Sequence, residues 1–568
     1  MKNRTIASMF EEIADILEFQ GELSFKVNAY RKAARVLSDL REDIELNWEN
    51  GKLRSIPGIG VALAKKIDEY LKTGRMSKYE EVTKSVPDGF MELMSIQGLG
   101  PKTLALVHKE LGVKNLEDLK KTIDSRALES LPGMGAKKIE NILRGIELRS
   151  ASLGRIPLGV ALPLVESIVE QLKRVKGVLD ITPAGSLRRM RENIGDIDIL
   201  ATGRKGKDII DHFIRFDLVE EVLAAGETKG SVIVEGGIQV DLRVVKPDSF
   251  GAAMQYFTGS KDHNVRLRGL ARERGLKVNE YGVFQGEKKI GGKTEEEVYA
   301  ALGLPWIPPE MREDRGEVEV ALSDHLPKLV EYQEVRGDLH VHSSYSDGSA
   351  SLEEIAVRAR EMGYEYVALC DHSESVFYAG GVSQQKLVEK IEEIEAINKR
   401  ISCVTLLSGI EVDIKTDGHL DCPDELLEKL DVVVAAIHSG FKKNVTERMI
   451  KAMENPHVDS IAHPTGRLIS SREGYDVNLD AVMRTAAETG TVLEINAHSE
   501  RLDLDDVSCR KAKEMGARLA IGTDAHHLDQ LWMMRLGVAV ARRGWLGRED
   551  VINTYPLKKL LKYFGNTR

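Results

Sequence analysis

The chain has 568 residues, of which 42% are hydrophobic and 30% charged, and its formal net charge is −10. A domain usually holds about 100 to 200 residues, so this length excludes a single hydrophobic core. The sequence has no apolar run near the roughly 20 residues that span a bilayer and opens without a signal peptide, so we expect a cytoplasmic protein. Four cysteines without a Cys-x-x-Cys pair indicate reduced thiols.

The first 150 residues are predicted to be helical, since apolar residues repeat at helical spacing over 6–17 and again over about 25–38. Three similar turns follow, each with two glycines around an apolar residue and lysines just downstream. The glycine pairs are Gly58 and Gly60, Gly98 and Gly100, and Gly133 and Gly135. Such turns present backbone N–H groups at a helix start, which suits phosphate binding. Three copies favour sequence-independent contact with a nucleic-acid backbone over plain helical hairpins. The segments resemble helix-hairpin-helix motifs, a family that binds the DNA backbone.

Beyond a helix predicted over 158–175, alternating strands are expected at 195–199 and 238–244. Asp196 and Asp198 are two residues apart on the first strand and so leave the same face. Two carboxylates held that close repel unless a divalent cation lies between them. Asp241 on the later strand supplies a third ligand if the two strands are neighbours. The alternative is an ordinary solvated strand face.

A Gly-Ser turn ten residues upstream favours the metal interpretation. Gly185 and Ser186 are followed by Arg188 and Arg189, whose guanidinium groups can form bidentate hydrogen bonds with phosphate oxygens. Phosphate-binding groups beside paired metal carboxylates describe a site for a triphosphate and magnesium. The two-metal scheme of nucleotidyl transfer requires such an arrangement.

On these residues the chain resembles DNA polymerase family X, the group that contains DNA polymerase beta. Further matching residues are Arg243 and the run from Tyr256 to Ser260, followed by Asn264 and Arg268. The resemblance implies that Asp196, Asp198 and Asp241 are catalytic and bind two Mg²⁺ or Mn²⁺ ions. It implies nucleotide binding by Ser186, Arg189, Gly195, Tyr256, Phe257, Gly259 and Asn264, and DNA binding by Arg268. Lys261 replaces an acidic residue of the beta enzyme.

The resemblance reaches the N-terminus through residues 26–32 and the first glycine turn. It implies that Lys66 forms a Schiff base with an abasic sugar. A nucleophilic lysine needs a lowered pKa, which nearby Lys65 or Lys26 would provide. Ala62 stands where that family has a further phosphate-binding lysine, and phosphate contact alone is the alternative role for Lys66.

A proline-rich, charged segment over 303–335 is predicted to connect two domains, and beyond it strands alternate with helices. Ten of the fourteen histidines lie after residue 335. Ligand-type residues stand at the C-terminal ends of apolar strands, where the active sites of parallel barrels gather. They are His340, His342, Asp347, His372, Glu411, His438, His463, Asp524 and His526. Up to three ions, Mn²⁺ or Zn²⁺, are expected there.

This segment resembles a PHP (polymerase and histidinol phosphatase) domain, a distorted (βα)7 barrel. The resemblance groups His340, His342, Glu411 and Asp524 on one ion. It places Glu411, His438 and His463 on a second, and Asp347, His372 and His526 on a third.

We therefore predict an all-α helix-hairpin-helix N-terminal region, an α+β nucleotidyltransferase palm and a C-terminal α/β distorted (βα)7 PHP barrel. The predicted domains are a helical DNA-binding, lyase-like domain (1–85), a fingers-like hairpin region (86–150), the palm (151–250), a thumb-like nucleotide-selection domain (251–315), a linker (316–335) and the PHP domain (336–568).

The two resemblances imply a monomeric DNA repair polymerase that fills short gaps, with gapped or primed DNA and dNTPs as partners. They also imply a metal-dependent 3′-5′ exonuclease or phosphoesterase in the barrel. One alternative is a barrel that acts mainly as an abasic-site endonuclease or 3′-phosphatase. Another is a DNA-end-binding scaffold without catalysis.

Overall fold

The computed structural model describes residues 2–38, 44–56, 58–87, 89–94, 96, 99–135, 138–139, 142–143, 146, 155–469 and 471–565. The chain separates into two compact units, one formed by 1–153 with 470–472 and the other by 154–469 with 473–568. None of the described helices is long and apolar enough to cross a membrane.

The described part of the first unit is helical, as expected. Its helices are Lys2–Phe19, Ser24–Ser38, Ile44–Glu49, Val61–Thr73, Ser77–Thr83, Phe90–Met94, Pro101–Leu111 and Leu116–Asp124, with 3₁₀ turns at Leu53–Ser55 and Ala127–Ser130. Their apolar faces form one buried core that includes Phe10, Ile67 and Leu104.

The three glycine turns share one geometry. In each, the N–H of the second apolar residue donates to the carbonyl of the first: Ile59 to Ile56 at 3.0 Å, Leu99 to Ile96 at 3.0 Å and Met134 to Leu131 at 3.1 Å. These six apolar side chains are buried, whereas Gly60, Gly100 and Gly135 are exposed. Gly60 and Gly100 immediately precede the helices Val61–Thr73 and Pro101–Leu111. Pro57, Gln97 and Gly98 lie outside the described residues.

The second unit begins with helix Leu158–Lys173 and a short pair of strands, β1 (Ile156–Pro157) and β3 (Asn193–Ile194). A five-stranded sheet follows in the order β2 (Val178–Pro183), β4 (Ile197–Gly203), β7 (Ile238–Val245), β6 (Lys229–Val234) and β5 (Val219–Ala225). Helices Gly185–Arg188 and Gly206–Phe213 complete this palm. A hairpin turn at Gly236 and Gly237 joins β6 to β7, and both glycines have positive φ. The strand predicted from residue 195 starts at Ile197, because Gly195 and Asp196 lie in a bend.

The thumb region consists of helices Phe250–Thr258, Lys261–Glu273 and Glu295–Ala301 around a small sheet of β8 (Lys277–Asn279), β9 (Gly282–Gln285) and β10 (Lys288–Gly291). The proline-rich segment 303–335, predicted to connect two domains, is packed: it contains helix Glu317–Leu322 and 3₁₀ turns at Pro309–Met311 and Tyr332–Glu334. Arg312 in this segment is fully buried and pairs with Glu295 at 2.6 Å.

The remaining strands form a seven-stranded parallel sheet in strict chain order. They are β11 (Gly337–Val341), β12 (Tyr366–His372), β13 (Thr405–Asp413), β14 (Val432–Ala436), β15 (Ser460–Ile461), β16 (Val492–Asn496) and β17 (Leu519–Gly522). A parallel bridge between Val341 and Ala525 links the first strand to the end of the last, so the sheet curls into the predicted (βα)7 barrel. Its helices are Leu352–Glu361, Gln384–Arg400, Asp424–Leu427, Val445–Met453, Leu479–Thr489, Asp506–Glu514, Met534–Arg543 and Leu557–Tyr563, with 3₁₀ turns at Phe377–Ala379, Leu528–Met533 and Ile552–Thr554.

Alternation along the strands explains how one barrel holds both an apolar core and a polar site. Cys370, Leu407 and Ala436 belong to an apolar cluster that Tyr555 and Leu560 also join. The ligand-type residues His372, Glu411 and His438 follow them at even spacing along the chain and therefore face the same side. One end of the barrel interior is thus apolar and the other carries the ligands.

The palm and thumb are joined to the barrel through helix Met534–Arg543. The Arg543 side chain, only 4% exposed, donates to the main-chain oxygen of Arg189 at 2.6 Å. Its guanidinium also pairs with Glu313 at 3.0 Å and with Asp506 at 2.6 Å. The same helix makes a second contact at Arg535, which pairs with Glu166 at 2.6 Å, but both of these side chains are more than 40% exposed.

Because Arg543 is buried and Arg535 is exposed, we expect their side chains to contribute very differently to the free energy of unfolding. Arg543→Met should lower the free energy of unfolding by about 3 to 5 kcal/mol, because it leaves buried carboxylates without one of their partners. Arg535→Met removes a solvent-screened pair and should cost less than about 1 kcal/mol. Urea denaturation of the full chain measures both variants. Equal losses would contradict the role assigned to the buried contact.

Candidate active sites in the palm and the barrel

The palm carboxylates meet on two neighbouring strands. Asp198 on β4 is directly opposite Asp241 on β7 in parallel register, as the third-ligand prediction required. Asp196 is exposed in the bend before β4. Asp241 pairs with Lys229 at 2.9 Å and accepts a hydrogen bond from Gln239 at 3.0 Å.

The charges of these groups respond to one another. Burial raises the pKa of Asp198 to about 6, and the neighbouring carboxylates of Asp196 and Asp241 add to the rise. Burial would also raise the pKa of Asp241, but hydrogen bonds from Lys229 and Gln239 outweigh it and hold that pKa below its ordinary value. Ionised Asp198 is therefore repelled by its neighbouring carboxylates, and a bound cation would reduce this repulsion.

The Gly-Ser turn packs against this carboxylate. Gly185 has a φ of +62°, and a Cβ there would lie 2.6 Å from the Asp198 carboxylate oxygen Oδ2. Glycine is therefore required at this position, because it adopts a positive φ without strain and has no Cβ to collide with the carboxylate. The two arginines of the motif are held by acidic side chains: Arg188 is bidentate to Glu295 at 2.8 and 2.7 Å, and Arg189 pairs with Glu313 at 3.1 Å. Sequence reasoning missed both carboxylates, which lie more than 100 residues downstream.

The other predicted nucleotide-binding residues surround the palm strands. Phe257 lies under Arg243, whose guanidinium carbon is 4.6 Å from the ring centroid. Asn264 donates to the Tyr256 carbonyl at 2.7 Å and accepts from Gln255 at 2.7 Å. Ser186 is half-buried in the turn Gly185–Arg188, Gly195 is exposed and Gly259 is buried with a φ of +67°. Arg268 is exposed on helix Lys261–Glu273.

Lys66 is half-buried in helix Val61–Thr73. Its ammonium donates to the Ala62 carbonyl at 3.1 Å and lies 5.9 Å from the Tyr30 ring centroid. Burial and then the charge of Lys78 lower its pKa. A lowered pKa was expected, but its cause differs: Lys26 is paired with Glu22 instead.

All nine barrel residues converge at one end of the barrel. Three groups bring ligand atoms within 4.8 Å of one another: His340, His342 and Asp524; His372, Glu411 and His438; and His342, Asp347, His372 and His526. Glu411 also lies 3.0 Å from His463 and 3.8 Å from both His340 and His342. The nine residues thus lie together, but the groups differ from the sets that the resemblance implied. Glu411 groups with His372 and His438, and His342 and His372 are each shared between two groups. The palm carboxylates do not form so tight a group.

Metal ions fit this cluster on the evidence of its hydrogen bonds. Buried Nδ1 atoms of His342, His438 and His463 and Oε2 of Glu411 have no hydrogen-bond partner among the described residues. Nδ1 of His372 lies 2.7 Å from Oε2 of Glu411, yet the two are not aligned for a hydrogen bond. Buried polar atoms are rarely left in this state unless an ion or water satisfies them.

Backbone strain and charge support the same conclusion. His463 and Asp524 have φ values of +29° and +53°, which non-glycine residues adopt at a cost of about 1 to 3 kcal/mol. Burial, with His526 and His372 nearby, lowers the pKa of His342 to about 4 and keeps its imidazole neutral. Burial would raise the pKa of Glu411, but the facing histidines hold it well below its usual range. Neutral imidazole and ionised carboxylate are the ligating forms. His372 differs from His342: against the effect of burial, the carboxylates of Glu411 and Asp347 raise the pKa of His372 to about 10, so a metal ion would have to displace a proton from that imidazole.

A supporting set of side chains was missed from the sequence. Glu494 on β16 accepts from Nδ1 of His340 at 2.7 Å and from the His463 N–H at 2.7 Å. Asn496 donates to Asp524 at 3.0 Å, and Arg501 lies 3.5 Å from the same carboxylate. Glu494 and Asn496 are two polar residues at alternate positions of an apolar strand, and this signal was available. Such groups orient metal ligands.

The raised pKa of Asp198 predicts a pH-dependent stability. In metal-free protein, ionising Asp198 above pH 6 penalises the folded state, and the penalty disappears as pH falls toward its ordinary pKa of 3.8. Asp198→Asn should therefore raise the free energy of unfolding by about 1 to 3 kcal/mol near pH 8 and by nothing near pH 4. Urea denaturation in chelator measures this, with Glu221→Gln on exposed β5 as the matched control. A destabilised Asn variant at both pH values would contradict the assignment.

Comparison with known proteins identifies four family regions. Family models match for a helix-hairpin-helix domain over 1–76, a SAM-like helix-hairpin-helix tandem over 90–148, a DNA polymerase beta thumb over 253–313 and a PHP domain over 338–498. Both resemblances drawn from the sequence motifs are thereby confirmed.

Whole-chain relatives agree. DNA polymerase/3′-5′ exonuclease PolX of Bacillus subtilis is 39% identical over 566 residues, covering 98% of each chain. DNA polymerase lambda of Rattus norvegicus is 27% identical over 342 residues, 55% of this chain and 56% of its own. A probable phosphatase of Thermoanaerobacter sp. is 29% identical over 238 residues, 38% of this chain and 89% of its own. The chain therefore belongs to the PolX family, the family X DNA polymerases that carry a C-terminal PHP domain.

Proposed function

We propose that this chain is a DNA-directed DNA polymerase that fills short gaps during repair and removes 3′ nucleotides with a separate metal-dependent exonuclease in its barrel. The observation that carries the proposal is the presence of two distinct ligand sets in one unit. One consists of palm carboxylates on paired strands, and the other of imidazoles and carboxylates at the barrel end. The identity to a DNA polymerase/3′-5′ exonuclease over the whole chain supports both halves.

In the palm, Asp196, Asp198 and Asp241 would hold two divalent ions, Mg²⁺ or Mn²⁺. Such ions lower the pKa of a primer 3′-hydroxyl and neutralise a triphosphate. Lys229 must release Asp241 for that carboxylate to become a ligand, since the two now pair at 2.9 Å. Ser186, Arg189 and Gly195 would bind the triphosphate. Phe257 and Tyr256 would lie against the sugar, Gly259 would line the same pocket, and Asn264 would lie near the base.

In the barrel, the nine residues would hold up to three ions, Mn²⁺ or Zn²⁺, and such ions would supply the Lewis acidity that activates water toward a phosphodiester. Imidazole nitrogens favour transition metals over magnesium. Glu411 is central, because His372, His438 and His463 all lie within 3.3 Å of its oxygens. Arg501 lies 3.5 Å from Asp524, and its buried Nη1 has no hydrogen-bond partner among the described residues, so this guanidinium would donate to the phosphate that is cleaved.

A second candidate for the barrel is a 3′-phosphatase or abasic-site endonuclease. The identity to a probable phosphatase over most of that protein's length favours it. A scaffold without catalysis finds no support in the intact ligand sets of both sites.

The first unit would contact DNA on the backbone through its three glycine turns, in which Gly60, Gly100 and Gly135 are exposed. Gapped or primed DNA, with dNTPs as co-substrates, is the partner that we propose for the full chain. We also propose that it works as a monomer in the cytoplasm.

Variants should separate the two activities. Asp198→Ala should reduce polymerisation by orders of magnitude and spare 3′ digestion, because the palm would keep too few anionic ligands for its ions. Glu411→Ala or His342→Ala should abolish digestion and spare polymerisation, with Glu411 the more severe because the cations around it would face one another unshielded. One labelled gapped duplex, incubated with and without dNTPs, reports both reactions. Loss of digestion in Asp198→Ala together with full digestion in Glu411→Ala would place the nuclease in the palm.

Lys66 makes a separate prediction. If its amine forms a Schiff base, borohydride should trap the protein on nicked abasic DNA, and Lys66→Ala should remove the adduct. Exposed Lys65→Ala is the matched control and should keep it. An untrappable wild type, or equal loss in both variants, would leave Lys66 with phosphate contact alone.

A further inference from the structure

The rim of the barrel site carries exposed aromatic side chains. Phe377 is 83% exposed, the most exposed large apolar side chain among the described residues, and the adjacent Tyr378 is 64% exposed. Their ring centroids lie 6.0 Å apart in an edge arrangement. Exposing two neighbouring aromatic rings to water is unfavourable, and such positions usually mark a contact surface.

This pair is anchored to the candidate metal site. Its loop leaves β12 directly after His372 and returns at Val382, whose N–H donates to the His372 carbonyl at 2.8 Å. The N–H of Ser373 donates to the Glu411 carbonyl at 3.0 Å. Both ends of the aromatic loop are therefore hydrogen-bonded to the two residues that lie at the centre of the ligand cluster.

A second aromatic group borders the same site. Phe441 stacks on Tyr475 with ring centroids 5.4 Å apart and an interplanar angle of 19°. The Tyr475 hydroxyl donates to the carbonyl of Ile437, the neighbour of His438, at 2.9 Å. Lys442 and Lys443 follow Phe441 and are exposed. Among the described residues neither lysine forms an ion pair.

Aromatic planes combined with cations form the surface that binds single-stranded nucleic acid, because bases stack on the rings and phosphates meet the ammonium groups. Paired bases are already stacked and offer no free face. We propose that Phe377 positions the DNA strand whose 3′ end the barrel nuclease cleaves, by stacking on one of its bases, while Lys442 and Lys443 contact its backbone. The proposal rests on the nuclease function proposed above and adds the side chains that position its substrate.

The test measures cleavage rates for several enzyme variants, each on the same three substrates. The enzymes are the wild type, Phe377→Ala, Phe377→Trp and the control Tyr281→Ala, which removes a 62% exposed tyrosine from the thumb. The substrates are a single-stranded oligonucleotide, the same strand with tetrahydrofuran residues replacing its last few nucleosides, and a small p-nitrophenyl phosphodiester that reports the metal chemistry alone.

We expect Phe377→Ala to lower kcat/KM on the normal strand about tenfold, as loss of one base stack requires. Phe377→Trp and Tyr281→Ala should retain the rate. The wild type should lose a similar factor on the base-free strand, whereas Phe377→Ala should not distinguish the two strands. All variants should cleave the small ester equally.

Other outcomes overturn the proposal in distinguishable ways. If Phe377→Ala cleaves the normal strand within twofold of the wild type, or if it still loses rate when the bases are removed, the rim does not read bases. If it loses ester cleavage to the same extent, Phe377 only supports the fold of the metal site. If the wild type cleaves neither DNA nor ester, the proposed nuclease is itself wrong, and the rim proposal falls with it.

Discussion

Ionisable groups buried close together are the physical constraint on which the second unit depends. In the palm, paired strands bring Asp198 opposite Asp241, and burial together with the neighbouring carboxylates raises the pKa of Asp198 to about 6. In the barrel, ionised Glu411 is buried with five histidines within 3.8 Å of its oxygens. Neither arrangement by itself stabilises the folded state, because burying a charge or leaving an imidazole nitrogen without a hydrogen-bond partner costs free energy. Bound cations would offset this cost in both sites, so we expect each ligand set to bind metal.

The two sites use different means to hold their ligands. The palm relies on strand register and on Lys229, which neutralises Asp241 in the metal-free protein. The barrel relies on a supporting layer in which Glu494, Asn496 and Asp413 bind the ligands or their backbone. Arg543 joins the halves, because it contacts the main chain of Arg189, which we propose to bind the triphosphate, and also Asp506 of the barrel. Through Arg543 the barrel therefore helps to fix the position of Arg189, although the metal-ligand set of the barrel is separate from that of the palm.

Local patterns in the sequence predicted much of this arrangement. Strand alternation placed Asp198 and Asp241, and ligand types at strand ends placed all nine barrel residues, because both depend on short-range periodicity. Partners distant in sequence could not be predicted: Glu295 and Glu313 hold the two arginines of the Gly-Ser motif, and burial with Lys78, not Lys65 or Lys26, lowers the pKa of Lys66. The proline-rich connection also differed from expectation, since buried Arg312 and Glu317 pack it against the thumb.

The central claim is that the barrel cluster is a polynuclear metal site organised by Glu411. Metal content by inductively coupled plasma mass spectrometry, after dialysis against metal-free buffer, tests it most directly and does not depend on any assay of activity. The account predicts two to three equivalents of manganese or zinc per wild-type chain, and the loss of at least one equivalent in Glu411→Gln, with Asp198→Asn unchanged in its tightly bound metal. A wild type that retains no transition metal, or a Glu411→Gln variant with undiminished content, would contradict it.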